Sequence, residues 1–315
     1  MGDGNTAIVT QAGDENTSTI NQADNDQEAF VEQSGNDNTS TISQGLNGDS
    51  DQDATVAQSG NKNTSTITQA GDDEVAVVTQ SGDDNRSNIN QGTAGGSDHR
   101  AIVTQSGDDN GSTVKQRGDN ADAIVAQGGT DNKSDIDQGM QANGSDQRAR
   151  VTQNGSESGS TVLQRGEDQL ATVNQMLGSD NNDADIDQGG EDSAAEIVQA
   201  GTNSLAEVDQ RGDSQSAFIE QIGAGNNASI NQGADAGSDH IASVTQEGDL
   251  NFADVAQSGS SHDALVKQSG NDNDSFITQS GGDNESVVQQ YSNGNISNVT
   301  QSGSMNSATV TQGTR

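Results

Sequence analysis

Paired aspartates are the residues of this sequence best suited to bind a metal ion. Asp83-Asp84 and Asp108-Asp109 each follow a glycine directly, and calcium prefers carboxylate and carbonyl oxygens. The glycine-aspartate nonapeptide of calcium-binding solenoids is not repeated in this sequence. We therefore favour a solvated acidic edge, with weak calcium binding by Asp83, Asp84, Asp108 and Asp109 as the alternative.

Three histidines are the other candidates for chemistry. His99, His240 and His262 each stand six residues before a recurring glutamine, where asparagine is commonest. We expect them to lie too far apart in the fold to share one ion, and we interpret them as structural. A hydrolase needs a nucleophile oriented by a base, and no histidine is placed to serve the many serines and threonines. The sequence therefore predicts no catalytic residue and no cofactor.

Composition limits the classes of protein that this chain can belong to. Its 315 residues include 49 Asp plus Glu against 12 Lys plus Arg, a net charge of -37, and only 27% are hydrophobic. Such a composition is typical of disordered chains. The charge excludes a basic nucleic-acid footprint, and no apolar run reaches membrane-spanning length. Without cysteine the chain forms neither disulfides nor thiolate metal sites.

A strict internal repeat overrules the disorder interpretation. Glutamine follows Val or Ile by two residues in 27 units, which are spaced by 11 residues except at five places, where the spacing is 13 to 15. Ala or Ser stands four residues before each of these glutamines, and Asn stands six before in 14 units. Self-similarity of this kind indicates a repeat architecture.

The conserved spacing within each unit predicts a strand. Asn, Ala/Ser, Val/Ile and Gln alternate with other residues, so their side chains share one face. A short arc, Gln-x-Gly-x-x-Asn, separates successive strands, as in Gln80 to Asn85. Its glycine permits backbone conformations that a Cβ disfavours.

The inward glutamines and asparagines are predicted to form ladders. If like strands stack about 4.8 Å apart, each amide bonds to the amides above and below, whereas stacked carboxylates would place like charges in a dry interior. We expect Asp and Glu to be confined to arcs and outward positions. The predicted ladder and core residues include Gln11, Gln22, Gln33, Gln44, Gln58, Gln69, Gln80, Gln91, Asn16, Asn38, Asn63, Asn85, Val9, Ile20 and Ile67.

Alternation between units predicts two sheets. In the first fourteen units the small residue is Ala in odd units and Ser in even units. We therefore predict an all-β chain, a flattened two-sheet β-solenoid of about 27 short strands with amyloid-like stacking and about 22 residues per coil. The predicted divisions are an N-terminal remnant (1–4), a single solenoid (5–312) and a C-terminal tail (313–315). The longer spacings follow Gln44, Gln91, Gln138, Gln175 and Gln232 and are expected to bulge outward.

The repeat resembles the curlin repeat of the major subunit of curli, the secreted bacterial functional amyloid. The match is clearest at 58–69 and 301–312, and it covers residues 5 to 312. The resemblance implies a solenoid subunit that polymerises outside the cell into biofilm fibres with roles in adhesion. It also implies export through an outer-membrane pore and nucleation by a minor subunit.

This chain differs from the short enteric subunits in having more repeats and more acidic residues. Met1-Gly2-Asp3-Gly4 leads directly into the repeat, so we expect an export leader to have been removed.

The end strands are the predicted sites of polymerisation. Asn5, Val9 and Gln11 in the first strand and Asn306, Val310 and Gln312 in the last complete the ladder motif, without a proline to block pairing. We predict head-to-tail joining of copies. Because 27 is odd, an unbroken coil requires each copy to be rotated by about half a turn.

A monomeric acidic solenoid that binds a surface or ligand is the alternative function, as in an ice-binding protein, an adhesin or a weak calcium binder. Thr66/Thr68 and Thr309/Thr311 form the outward Thr-x-Thr pairs that ice binding favours, but Asp185/Asp187 occupy equivalent positions. Phe30, Phe218 and Phe276 are also predicted to point outward, as isolated exposed aromatics or, alternatively, as contacts between fibrils.

Overall fold

The computed structural model describes residues 4–45, 50–92, 96–139, 144–233 and 237–314, and the regular secondary structure within them is entirely β. None of these residues forms a helix long and apolar enough to cross a membrane. The strands, in chain order, are β1 Thr6–Ala12, β2 Thr17–Gln22, β3 Glu28–Asn36, β4 Thr39–Gln44, β5 Asp53–Asn61, β6 Thr64–Gln69, β7 Val75–Ser81, β8 Arg86–Gln91, β9 Arg100–Asp108, β10 Gly111–Gln116, β11 Asp122–Thr130, β12 Lys133–Gln138, β13 Arg148–Gln153, β14 Gly159–Gln164, β15 Leu170–Gln175, β16 Asp183–Gln188, β17 Ala194–Thr202, β18 Leu205–Gln210, β19 Ser216–Ala224, β20 Asn227–Gln232, β21 Ile241–Glu247, β22 Phe252–Ser260, β23 Asp263–Ser269, β24 Asp274–Gly282, β25 Glu285–Gln290, β26 Ile296–Ser304 and β27 Ser307–Gln312.

The chain forms two compact units: Met1–Glu157 with Gln164–Gly166, and Ser158–Leu163 with Glu167–Arg315. In the first unit, each odd strand pairs in parallel with the next odd strand and each even strand with the next even strand. The second unit repeats this pattern from β15 and β16 onward. The predicted fold class, a two-sheet β-solenoid with 27 strands, is therefore confirmed. The predicted single domain over 5–312 stays a prediction, and Met1–Asp3 and Arg315 lie outside the described residues.

The core forms because every strand alternates between inward and outward side chains. In β6 the inward residues Ser65, Ile67 and Gln69 are fully buried, whereas Thr64, Thr66 and Thr68 are half-buried on the outer face. The register places like on like, with Ile42 beside Ile67 and Ile67 beside Ile89. A column of small residues, a column of branched residues and a column of glutamines therefore run through the interior of each unit.

The arcs depend on two unusual backbone conformations. Gly82 has φ 102°, and a Cβ at this position would lie 2.2 Å from the carbonyl oxygen of Gly107, so the predicted need for glycine is confirmed. Asp84, just before the ladder residue Asn85, also has a positive φ, 57°. Asp and Asn tolerate this left-handed region better than most residues, which explains why they are frequent there.

The inserted segments are described only in part. Four of the five longer spacings contain residues outside the described part of the chain: 46–49, 93–95, 140–143 and 234–236. The fifth segment, after Gln175, forms a turn in which Ser179 N–H donates to the carbonyl of Met176 at 3.1 Å. The side chain of Leu177 in this turn is 87% exposed, so the chain bulges outward here as predicted.

Candidate functional site

The predicted glutamine ladder is present in both units. In the odd sheet of the first unit, Gln33 Nε2 donates to Gln58 Oε1 and Gln58 Nε2 to Gln80 Oε1, each at 2.8 Å. In the even sheet, Gln44 donates to Gln69 at 2.9 Å and Gln69 to Gln91 at 3.0 Å. In the odd sheet of the second unit, comparable bonds connect in turn Gln175, Gln199, Gln221, Gln246, Gln268, Gln290 and Gln312. Each amide donates toward the C-terminal end of the chain, so the ladder has a direction.

From Gln22 onward, the ladder glutamines also join the two sheets, a role that the sequence did not reveal. Besides its bond to Gln91, Gln69 Nε2 donates to the carbonyl of Asp53 at 3.0 Å. Gln69 lies in β6 of the even sheet and Asp53 in β5 of the odd sheet. A carboxylate has no N–H for either bond, and asparagine is one methylene shorter. Glutamine therefore suits this position, because its amide nitrogen forms one bond along the stack and another across it.

A second ladder of asparagines runs in the opposite direction. Asn38 Nδ2 donates to Asn16 Oδ1 at 3.0 Å, and Asn63 to Asn38 and Asn85 to Asn63 at 3.1 Å each. The same nitrogen of Asn63 donates to the carbonyl of Gly82 at 2.8 Å, which ties the ladder to the next arc. Asn38, Asn63 and Asn85 are buried, so the predicted inward orientation is confirmed.

The arcs that lead into odd strands carry a more varied column, which includes the three histidines. His240 and His262 lie in adjacent coils with ring centroids 5.0 Å apart and planes within 9° of parallel. The expectation that the histidines lie far apart is therefore wrong for this pair, because 22 residues make one coil. Nδ1 of His240 accepts the N–H of His262 at 3.3 Å, and Nδ1 of His262 accepts the N–H of Asn284 at 3.2 Å. Both histidines thus act as ladder residues, as predicted for this position.

The pKa of His240 is lowered to about 4, chiefly by burial and also by the nearby His262, against the smaller effect of Asp239. The pKa of His99 is likewise lowered to about 4, mainly by burial, and Asp119 and Asp98 oppose this shift. A neutral imidazole is needed at both positions, because Nδ1 accepts a backbone N–H.

Stability is therefore expected to fall as the pH drops from about 6.5 to about 4. In this range the unfolded chain binds protons at these histidines and the folded chain does not, so acid favours unfolding. His240→Asn, which introduces the residue commonest at this position, should flatten the pH dependence of the urea midpoint in that range. An unchanged slope in this variant would contradict the assignment of the loss to His240.

The candidate calcium residues are used by the arcs themselves. Asp83 Oδ1 accepts the N–H of Asn61 at 2.8 Å, and Asp83 N–H donates to Asp108 Oδ1 at 2.9 Å. Asp84 and Asp109 are exposed and adopt positive φ. Asp83 and Asp84 thus lie one coil from Asp108 and Asp109. No group of three or more His, Asp or Glu side chains suited to a metal occurs in the described part of the chain, and calcium binding stays a prediction.

The end strands expose the same motif that is buried elsewhere. Val9 in β1 is 45% exposed, whereas its neighbour Val31 in β3 is 3% exposed. Gln11 donates to Gln33 at 2.6 Å, and Gln312 accepts from Gln290 at 2.8 Å. Asn5 Nδ2 donates to the carbonyl of Asp24, and Asn306 Nδ2 to Asn284 Oδ1. Each predicted polymerisation residue is therefore bonded on one side within its own chain.

The parallel coils and their stacked amide ladders define a class of protein, the two-sheet β-solenoid with an amyloid-like interior. The family model named Curlin associated repeat matches residues 1–23, 66–92, 180–210, 201–233, 237–270, 248–281 and 270–303. Together these segments cover more than half of the chain, and the protein belongs to the curlin-repeat family. A search among curated proteins finds no match.

Proposed function

We propose that this chain is a structural subunit that assembles head to tail into extracellular, curli-like amyloid fibres of a biofilm matrix, with a role in adhesion. One observation carries the proposal: β1 and β27 keep the complete ladder motif of the interior, yet Val9 is exposed and Val310 is only half-buried, whereas the equivalent interior residues are fully buried. An open strand edge of this kind templates another chain. Fibre formation requires no catalytic group, in keeping with a structural, non-enzymatic family.

The direction of the ladders favours head-to-tail joining. Glutamine amides donate toward the C-terminal end, and asparagine amides donate toward the N-terminal end. A copy added to the C-terminal end with the same polarity continues both series, because donors meet acceptors at each position. A copy added in reverse would set donors against donors, which leaves buried amides unsatisfied at a cost of about 1–3 kcal/mol each.

The arc residues at the two ends match in the half-turn arrangement. When β1 of one copy stacks on β26 of another, and β2 on β27, Asn5 meets Asn295 and Asn16 meets Asn306. All four are asparagine, although the arcs into odd strands otherwise carry Gln, Glu, His, Ala or Ser, apart from Asn284. Asparagine at all four positions allows the asparagine ladder to continue across the junction.

The negative charge opposes assembly. Asp185 lies directly beside Glu207, and Asp187 beside Asp209, in the outer face of the second unit. The pKa of Asp185 is raised, chiefly by burial and also by Asp183 and Glu207, and burial raises the pKa values of Asp254 and Asp263. These carboxylates bind protons before ordinary ones as the pH falls.

Purified chain is expected to form unbranched fibres with a 4.7–4.8 Å meridional reflection, and to do so faster with added salt or as the pH falls towards 4. Salt screens the repulsion between copies of net charge -37. Negative-stain images and thioflavin lag times measure both effects. Discrete rods under every condition would overturn the proposal, and a rate increase specific to millimolar calcium would instead support coordination by the arcs.

Further partners and the location follow from the family alone. We propose as partners a minor nucleator subunit and an outer-membrane secretion pore, and as location the extracellular space or the cell surface.

Surface binding by a monomer is the second candidate function. On one outer face, the column Thr17, Thr39 and Thr64 lies beside the column Thr19, Thr41 and Thr66. Arg86 and Asn88 end this array at β8, so the flat threonine surface spans three strands.

A further inference from the structure

The arcs that lead into odd strands contribute one inward residue per coil, six before the glutamine of that strand. In the first unit this arc column consists of Asn5, Gln27, Gln52, Glu74, His99, Ala121 and Gln147. Gln52 Nε2 donates to the carbonyl of Gly71, which stands three residues before the next member of the column. The same bond is formed by three further pairs: Gln147 with Gly166, Gln169 with Gly190, and Gln215 with Gly237. Glutamine in the arc column is therefore a hydrogen-bond donor to the following coil.

Glu74 occupies the arc column and is fully buried. The glycine three residues before the next member, His99, is Gly96. A Cβ added to Gly71 would clash both with the carbonyl oxygen of Gly96 and with Oε1 of Glu74, so these two oxygens lie beside each other. An ionised carboxylate only accepts hydrogen bonds, and it would therefore repel this carbonyl.

The equivalent arc of the second unit shows which kind of atom belongs at the position of Oε1. A Cβ added to Gly212 would clash with the carbonyl oxygen of Gly237 and with Nε2 of Gln215. This nitrogen donates to the same carbonyl at 3.2 Å. Oε1 of Glu74 thus takes the place of a donating amide nitrogen.

We propose that Glu74 is a neutral carboxylic acid in the folded chain at pH 7 and donates its proton from Oε1 to the carbonyl of Gly96. A protonated carboxyl group has one O–H donor and keeps an acceptor oxygen, so it can replace the amide of glutamine. A buried carboxyl group without a positive partner takes up a proton rather than remain charged. The proton comes from solvent, and its site exists only when coils stack, because Gly96 belongs to the coil after Glu74.

The charged groups around Glu74 favour the neutral form. The residues beside it in its own arc and beside its neighbours in the adjoining coils are Asp51, Asp53, Asp72, Asp73, Asp98 and Arg100. Five of these six are acids, and Arg100 is paired with Asp122. Nearby negative charges disfavour ionisation of an acid. On the side of the even strands, Gln69, Gln91 and the segment 92–96 contribute no titratable group.

His99 is the remaining titratable neighbour, and it does not take the proton of Glu74. Its Nδ1 accepts the N–H of Ala121 at 3.3 Å, which requires an unprotonated nitrogen. Burial lowers the pKa of His99 to about 4, although Asp119 and Asp98 oppose this shift. An ion pair between Glu74 and His99 would break the bond to Ala121.

The sign of the pH dependence is opposite to that of the histidines. The unfolded chain releases the proton of Glu74 near the ordinary glutamate pKa of about 4.3, whereas the folded chain holds it to higher pH. The stability that this acid contributes is therefore complete below about pH 4 and is lost as the pH rises. His99 acts in the reverse sense between about pH 6.5 and 4. The two effects offset each other in that range, and above it the loss from Glu74 is no longer offset.

Glu74→Gln tests the proposal with little risk to the fold, because glutamine is the commonest residue of the arc column. Its urea midpoint should match that of the parent near pH 4 and exceed it increasingly towards pH 8. The ratio of the two unfolding equilibrium constants should grow by up to about tenfold per pH unit, as for one proton. Glu28→Gln, which removes an exposed carboxylate from β3, is the matched control and should show no such pH-dependent gain. A midpoint difference for Glu74→Gln that is the same at pH 4 and pH 8 would overturn the proposal.

Infrared and NMR spectra locate the proton directly. At pH 7 the difference spectrum between the parent and Glu74→Gln should contain the carbonyl stretch of a protonated carboxyl group, and the difference between the parent and Glu28→Gln should not. Absence of this band from the first difference would overturn the proposal. A charged imidazole signal from His99 at pH 7 would place the proton on the histidine and would overturn it as well. These measurements concern the folded chain alone, so they do not depend on the end-to-end proposal.

Discussion

Gln69→Glu is expected to destabilise the first unit by about 3–5 kcal/mol, the cost of a buried charge without a partner. Gln69 is fully buried and accepts from Gln44 while donating to Gln91 and to the carbonyls of Asp53 and Glu74. A glutamate at this position loses every donated bond and sets its negative charge beside oxygens that had accepted hydrogen bonds from the Gln69 amide. Urea unfolding at pH 7 measures the loss.

Thr68→Glu is the matched control, because Thr68 is the adjacent residue of the same strand but points outward and is only half-buried. Its unfolding free energy should change by no more than about 0.5 kcal/mol, as for most surface substitutions. Gln69→Met, which removes the amide without adding a charge, should fall between the two. Equal destabilisation by Gln69→Glu and Thr68→Glu would show that the interior amides do not carry the fold.

Proline at the open edges is expected to abolish fibre growth while the units stay folded. The first outward residue of each strand donates its N–H to the following coil, as Thr6 does to the carbonyl of Gln27 and Glu285 to that of Asn306. Because parallel strands alternate the direction of their N–H groups, the N–H of Val9 points away from β3 and that of Thr309 away from β25. Val9→Pro and Thr309→Pro therefore remove only unpaired donors. Lag times and electron micrographs measure growth.

Val310→Pro is the informative contrast to Thr309→Pro. Its N–H points toward β25, so this substitution should release β27 from the sheet and expose β25 and β26 as a new edge. Circular dichroism should remain unchanged for Val9→Pro and Thr309→Pro. Normal elongation of the Val9→Pro/Thr309→Pro double variant would indicate lateral growth and would exclude end-to-end assembly.

Much of the fold could be predicted because the repeat constrains each position 27 times. One occurrence of Asn-x-Ser-x-Ile-x-Gln, as at 63–69, would be a weak strand signal, but its recurrence fixes the inward face, the register and the two sheets. The need for an uncharged amide at Gln69 also followed from sequence, since stacked carboxylates in a dry interior are prohibitive. The glycine two residues after many ladder glutamines was also predictable, because this spacing recurs along the chain and the arc needs a positive φ, as Gly82 shows.

Other features depended on distances between coils, which no local pattern contains. The pairing of His240 with His262 was missed because it requires the number of residues per coil to be applied to the position of each histidine. The bond from Gln69 to Asp53 depends on the separation of the two sheets, and the opposite directions of the Gln and Asn ladders depend on side-chain rotation.

The sequence by itself thus determined which side chains are inside, because alternation and burial are local and repeated. Only the tertiary structure decided how those side chains bond, because a hydrogen bond requires two groups brought together by stacking. It also decided the neighbours on the outer side of the sheet that runs from β1 to β13, where residues 22 to 26 apart become adjacent across about 4.8 Å. Val77, Ile102 and Ile124 are scattered in sequence, and the coil alone makes them one surface.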